Sequence, residues 1–149
     1  MAKATHKYTL LRYIIDAPVV MASFFISLRL LHLHEGHFYN IALLLFALLS
    51  VVIWYVAGSF SRLYAERRSN KFSEEIVFIL YSLILFGILI TSSAFFLRDY
   101  LAFSGLFFIT FLSVLFVTEA VAKYIIRKLL HAAIFVGDFF ENVLIVGVT

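Results

Sequence analysis

Three long stretches free of Asp, Glu, Lys and Arg constrain this chain more than any other feature. They are residues 36–61, 76–97 and 100–118, and each is near or above the roughly 18–20 apolar residues that cross about 30 Å of hydrocarbon as a helix. Three spanning helices are expected there. A fourth, over about 13–33, contains Asp16, Pro18 and Arg29. Arg29 can snorkel from one end, while Asp16 and Pro18 are expected in the opening turns, where proline is tolerated. The composition agrees: 64% of the 149 residues are hydrophobic and 14% charged, against roughly 25% charged in a soluble domain. With a mean hydropathy of +1.04, more apolar side chain is present than one core of this size can enclose, and the surplus must face a bilayer.

The charges are clumped, and their placement sets an expected orientation. Lys3, Lys7 and Arg12 precede the first span, Arg62, Arg67, Arg68 and Lys71 follow the second, and Lys123, Arg127 and Lys128 follow the fourth; only Arg29 and Arg98 of the 12 positive residues fall elsewhere. Positive segments are retained in the cytoplasm, so both termini and the Arg67-Arg68 loop are expected there. A net charge of +3 thus reflects membrane flanks rather than nucleic acid, which is not an expected partner. The basic arm is read as part of a signal anchor, because no A-x-A-like cleavage site closes the first apolar run.

The fold class expected is all-α membrane: four transmembrane helices with both termini cytoplasmic. Residues 1–12 form a cytoplasmic N-terminal arm. Residues 13–130 form the transmembrane domain, with spans at about 13–33, 40–60, 74–97 and 100–118 and a cytoplasmic helical extension to 130. At the start of the third span Ser73 can act as N-cap, Glu74 and Glu75 sit in the first turn, and Phe72 can staple onto Val77. Beyond the fourth span Glu119, Lys123 and Arg127 recur at i, i+4 and i+8, marking one face of a continuing helix. Its other face, with Leu129, Leu130, Ala132, Ala133, Ile134 and Phe135, suits the membrane surface or a neighbouring domain. In 131–149, a linker leads to Val143-Leu144-Ile145-Val146-Gly147, which reads as a strand entering a tight turn. A single strand cannot satisfy its own backbone groups, so the expectation is the first strand of a truncated Rossmann-like α/β domain. Gly147-Val148-Thr149 places Thr where a dinucleotide-binding turn uses Gly, which argues against a dinucleotide at that turn.

Few residues suggest chemistry. His32, His34 and His37 with Glu35 could ligate Zn²⁺ or Cu²⁺, but Gly36 weakens the helix that such spacing needs, and a polar interfacial loop is the plainer reading. Asp16 inside a span is a functional candidate by default; Arg12 four residues earlier makes a helix cap or an ion pair the expected role. Arg67, Arg68 and Lys71 could recruit an anionic lipid, yet solvated membrane anchors explain them as well. The chain has no Cys and no Walker loop, G-x-S-x-G or paired catalytic carboxylates. No catalytic, cofactor-binding or metal-binding residue is therefore assigned.

Four spans, a loop with Leu63-Tyr64 and Glu66-Arg67-Arg68, then Phe72-Ser73-Glu74-Glu75, Lys123-Tyr124-Ile125-Ile126-Arg127-Lys128-Leu129 and Glu141-Asn142-Val143-Leu144-Ile145-Val146-Gly147 resemble the N-terminal region of bacterial polyprenyl-phosphate sugar-1-phosphate transferases. The resemblance implies an inner-membrane, multi-pass anchor followed by a Rossmann-like domain and a membrane-embedded catalytic domain. The latter moves a sugar phosphate from a UDP-sugar to undecaprenyl phosphate, the first step of exopolysaccharide or O-antigen synthesis, and Mg²⁺ is the cofactor implied for it. Its catalytic Asp-Glu pair has no counterpart in these residues. Expected partners are the lipid bilayer, polyprenyl phosphate and UDP-sugar through that further domain, and a second copy of the chain as a homo-oligomer. The alternatives are the membrane domain of a nucleotide-sugar dehydratase or epimerase, which shares the opening architecture, and a stand-alone small multi-pass membrane protein.

Overall fold

The computed structural model of the protein describes residues 2–31, 41–65, 71–99 and 103–135. The regular structure among them is four α-helices: α1 (Ala2–Leu30), α2 (Ile41–Phe60), α3 (Phe72–Phe96) and α4 (Gly105–Phe135). Each contains a segment long and apolar enough to cross a membrane, over Thr9–Leu30, Ile41–Phe60, Phe72–Phe96 and Gly105–Leu129. The four-helix, membrane-spanning expectation is met. The stretch read as a strand, 143–147, lies outside the described residues.

Helix limits follow from local sequence. No Gly or Pro interrupts residues 2–17, so α1 runs unbroken from Ala2 rather than starting near Tyr13, and Asp16 and Pro18 fall in its interior, not in its opening turns. Pro18 deprives the Ile14 carbonyl of its helical donor. One residue earlier, the Tyr55 hydroxyl donates to the Tyr13 carbonyl from α2. Interior proline is tolerated in membrane helices where neighbours restore such bonds. At α3 the N-cap is Lys71, in extended conformation and without a side-chain cap, so Ser73 lies inside the first turn instead of capping it. At α4 the Ser104 hydroxyl accepts from the Phe107 amide at 3.4 Å and starts the helix at Gly105, several residues after the uncharged stretch begins.

The helices form a ring in chain order. α1 packs on α2 and α4, and α3 packs on the same two, leaving α1 and α3 on the diagonal. Neighbours are antiparallel: Asp16 and Phe24 of α1 meet Lys123 and Phe107 of α4 in reverse order. Towards the Leu30 end of α1 the core is aromatic. Phe24 meets Phe107 and Phe111 edge-on, with centroids 5.5 Å from each, and Phe111 lies 5.7 Å from Phe86, the offset geometry that ring quadrupoles favour. Large apolar side chains such as Ile41, Phe60, Ile88 and Ile109 point outward, as a lipid solvent allows and water would not. At the opposite end, the same core turns polar.

Candidate functional site

Asp16, Trp54, Tyr64, Glu119 and Lys123 are all buried among the apolar residues of the bundle. Asp16 is the hub. Its Oδ1 lies 2.5 Å from the Lys123 ammonium of α4. Its Oδ2 accepts from the Tyr64 hydroxyl at 2.5 Å and from the Trp54 indole at 3.4 Å. One carboxylate on α1 thereby ties together α2, the turn that follows it, and α4. Asp16 lies seven residues inside its apolar segment and Lys123 six residues from the end of its own, so each is on the order of 10 Å along the helix from the end of its span. An isolated charge at such depth costs about 2.5–3.5 kcal/mol on insertion scales, and for that reason intramembrane charges pair with one another.

The turn after α2 delivers Tyr64. Leu63 donates its amide to the Gly58 carbonyl at 2.9 Å and Arg62 donates to the Ser59 carbonyl at 3.4 Å, while Arg62 takes a positive φ of 57°; this is the Schellman pattern. The chain therefore reverses sharply and lays the Tyr64 ring against Gly58, where a β-carbon would come within 2.6 Å of Tyr64 Cε2. Tyr13 stacks on that ring at 4.0 Å, and the Lys123 ammonium sits 5.9 Å from its centroid. Burial first, and the Asp16 carboxylate second, push the Tyr64 phenol well above its ordinary pKa. It stays protonated and serves as a donor.

A second ion pair crosses the diagonal at the same end, from Arg12 of α1 to Glu75 of α3. Asp16 thus pairs with Lys123 rather than with Arg12, and it is no helix cap. Glu119 and Lys123, expected on an outer face of a cytoplasmic extension, are buried in the bundle 3.8 Å apart. Lys123 accordingly is not the solvated membrane flank it was expected to be alongside Arg127 and Lys128. Lys71 is exposed; His32, His34, Glu35, His37, Arg67 and Arg68 lie outside the described residues. Among the described residues no group of three His, Cys, Asp or Glu could hold a metal ion.

Trp54, Tyr64 and Lys123 were not read from the sequence as partners of Asp16, nor Glu119 as a buried member of the cluster. A signal existed in the position of Ser104 and Gly105. A fourth helix starting there must continue to about Tyr124 to span, which brings Glu119 and Lys123 within the spanning segment and makes Lys123 a candidate counter-ion of Asp16. Chemically, the arrangement locks helices together. Asp16 has each oxygen engaged and is no free base. The open depression of about 460 Å³ bounded by Thr91, Arg98 and Phe103 lies at the opposite end of the bundle, away from these groups. In comparisons with known proteins, no family model, no curated protein and no solved structure matches the chain.

Proposed function

We propose that the chain is the membrane-anchoring part of a polyprenyl-phosphate sugar-1-phosphate transferase of the bacterial inner membrane. Its bundle holds a catalytic domain at the inner leaflet, where a UDP-sugar and undecaprenyl phosphate meet. One observation carries the reading. Three of the short motifs behind the resemblance supply a buried polar residue to the same end of the bundle: Tyr64 from Leu63-Tyr64, Glu75 from Phe72–Glu75, and Lys123 from Lys123–Leu129. Motifs that are far apart in sequence thus serve one structural purpose, as expected if they persist together to fix the bundle. α4 also runs unbroken past its apolar segment, from Leu129 to Phe135, so it can pass the orientation of the bundle on to whatever follows. Both termini and the 61–71 connection face the cytoplasm in this account, which puts the ion cluster at the cytoplasmic end.

The test uses membranes from cells expressing the complete gene product. Supplied with candidate UDP-sugars and undecaprenyl phosphate in the presence of Mg²⁺, they should release UMP and form a lipid-linked sugar phosphate, whereas residues 1–149 alone should release none. Conversion of the nucleotide sugar without a lipid acceptor would contradict the reading and favour a dehydratase or epimerase. Absence of any turnover across the sugars, with the protein present at verified abundance, would contradict it as well.

A further inference from the structure

Charge balance inside the ion cluster is incomplete. It contains two carboxylates, Asp16 and Glu119, and one ammonium, Lys123. The ammonium is committed to Asp16 at 2.5 Å and stands 3.8 Å from Glu119, beyond hydrogen-bond range. Glu119 is fully buried, and among the described residues neither of its carboxylate oxygens has a hydrogen-bond partner. Among the described residues, nothing facing it supplies the missing charge. The Tyr64 proton goes to Asp16 and the Tyr55 proton to the Tyr13 carbonyl; Trp54 offers only its indole N–H, which is also directed to Asp16. The charged group that α3 brings to this end, Glu75, is matched by Arg12. A buried carboxylate that accepts no hydrogen bond and shares a counter-ion 3.8 Å away with a second, closer carboxylate is costly to hold.

We propose that the Glu119 carboxylate is a binding site for one small monovalent cation, a proton or a sodium ion, within the bundle. The bound cation makes the cluster electrically neutral while leaving the Asp16–Lys123 pair charged. The site is formed by the helices alone and is independent of any transferase activity.

Infrared spectroscopy of the chain in lipid vesicles tests this, with glutamate carrying ¹³C in its side-chain carboxyl and Na⁺ added or withheld. A carbonyl band of protonated carboxyl that shifts with the label, persists with Na⁺ and disappears in Glu119→Gln identifies the proton. A band that appears only without Na⁺, together with a rise in the wild-type unfolding temperature on adding Na⁺ that Glu119→Gln lacks, identifies sodium. Either result supports the site. A wild-type chain with neither the labelled band nor a response to Na⁺ overturns it, whether or not Glu119→Gln folds, and so does a labelled band that survives in a folded Glu119→Gln.

Discussion

Asp16 accepts from three separate elements, so substitutions around it distinguish hydrogen bonding from charge. Asp16→Asn keeps an acceptor for Tyr64 and Trp54 and frees Lys123 to turn to Glu119, 3.8 Å away. Its expected cost is about 1 kcal/mol, the scale of one hydrogen bond among membrane helices. Lys123→Met leaves the buried Asp16 carboxylate without its counter-ion and should cost about 3–5 kcal/mol. Adding Asp16→Asn to Lys123→Met should recover a large part of that loss. Reversible unfolding in mixed micelles, followed by circular dichroism, measures all three; strictly additive costs would show that the two residues are not partners. From sequence, Asp16 was legible as an intramembrane acid. Its partner was not, because Arg12 stood one turn away while Lys123 lies 107 residues along the chain.

The turn closing α2 shows how an element's end can matter more than its span. Gly58 is buried beneath the Tyr64 ring, and a β-carbon there would collide with it at 2.6 Å. Gly58→Ala should therefore displace Tyr64 from Asp16 and cost about 1–3 kcal/mol, as overpacking does. Tyr64→Phe forfeits only the hydrogen bond and should cost about 1 kcal/mol. The same unfolding measurement ranks the two, and a Gly58→Ala protein as stable as wild type would refute the close packing of this turn. Three of the four helices were plain in the uncharged stretches, whereas the first carries Asp16, Pro18 and Arg29 and had to be argued from their positions. Helix ends were less so. Ser73 has capping chemistry, yet the chain turns at Lys71; the uncharged stretch from 100 suggested a start that Ser104 and Gly105 delay. The i, i+4 spacing of Glu119 and Lys123 was visible, but the face they occupy depends on that start.

For the whole molecule, lipid on the outside and a polar cluster at one end of the core imply a bundle with a defined orientation and a closed ring. The excess of Lys and Arg in the N-terminal arm, in 62–71 and in the C-terminal part of α4 predicts that a cysteine placed at Ser69 reacts with an impermeant maleimide in inverted membrane vesicles and not from outside intact cells; labelling from outside would reverse the orientation. Ring closure depends on α1 meeting α4, the contact between the first and last helices in the chain. There the Ser23 hydroxyl and the Thr118 hydroxyl lie 2.7 Å apart, so sulfur atoms at the same two γ positions would face each other. The most direct measurement is oxidation of the Ser23→Cys, Thr118→Cys double variant in native membranes, in a chain that has no cysteine of its own. The account predicts rapid formation of an intrachain disulfide, absent when the second cysteine is placed instead at the lipid-facing Val117. Failure of the two introduced cysteines to join, or joining only between two chains, would contradict it.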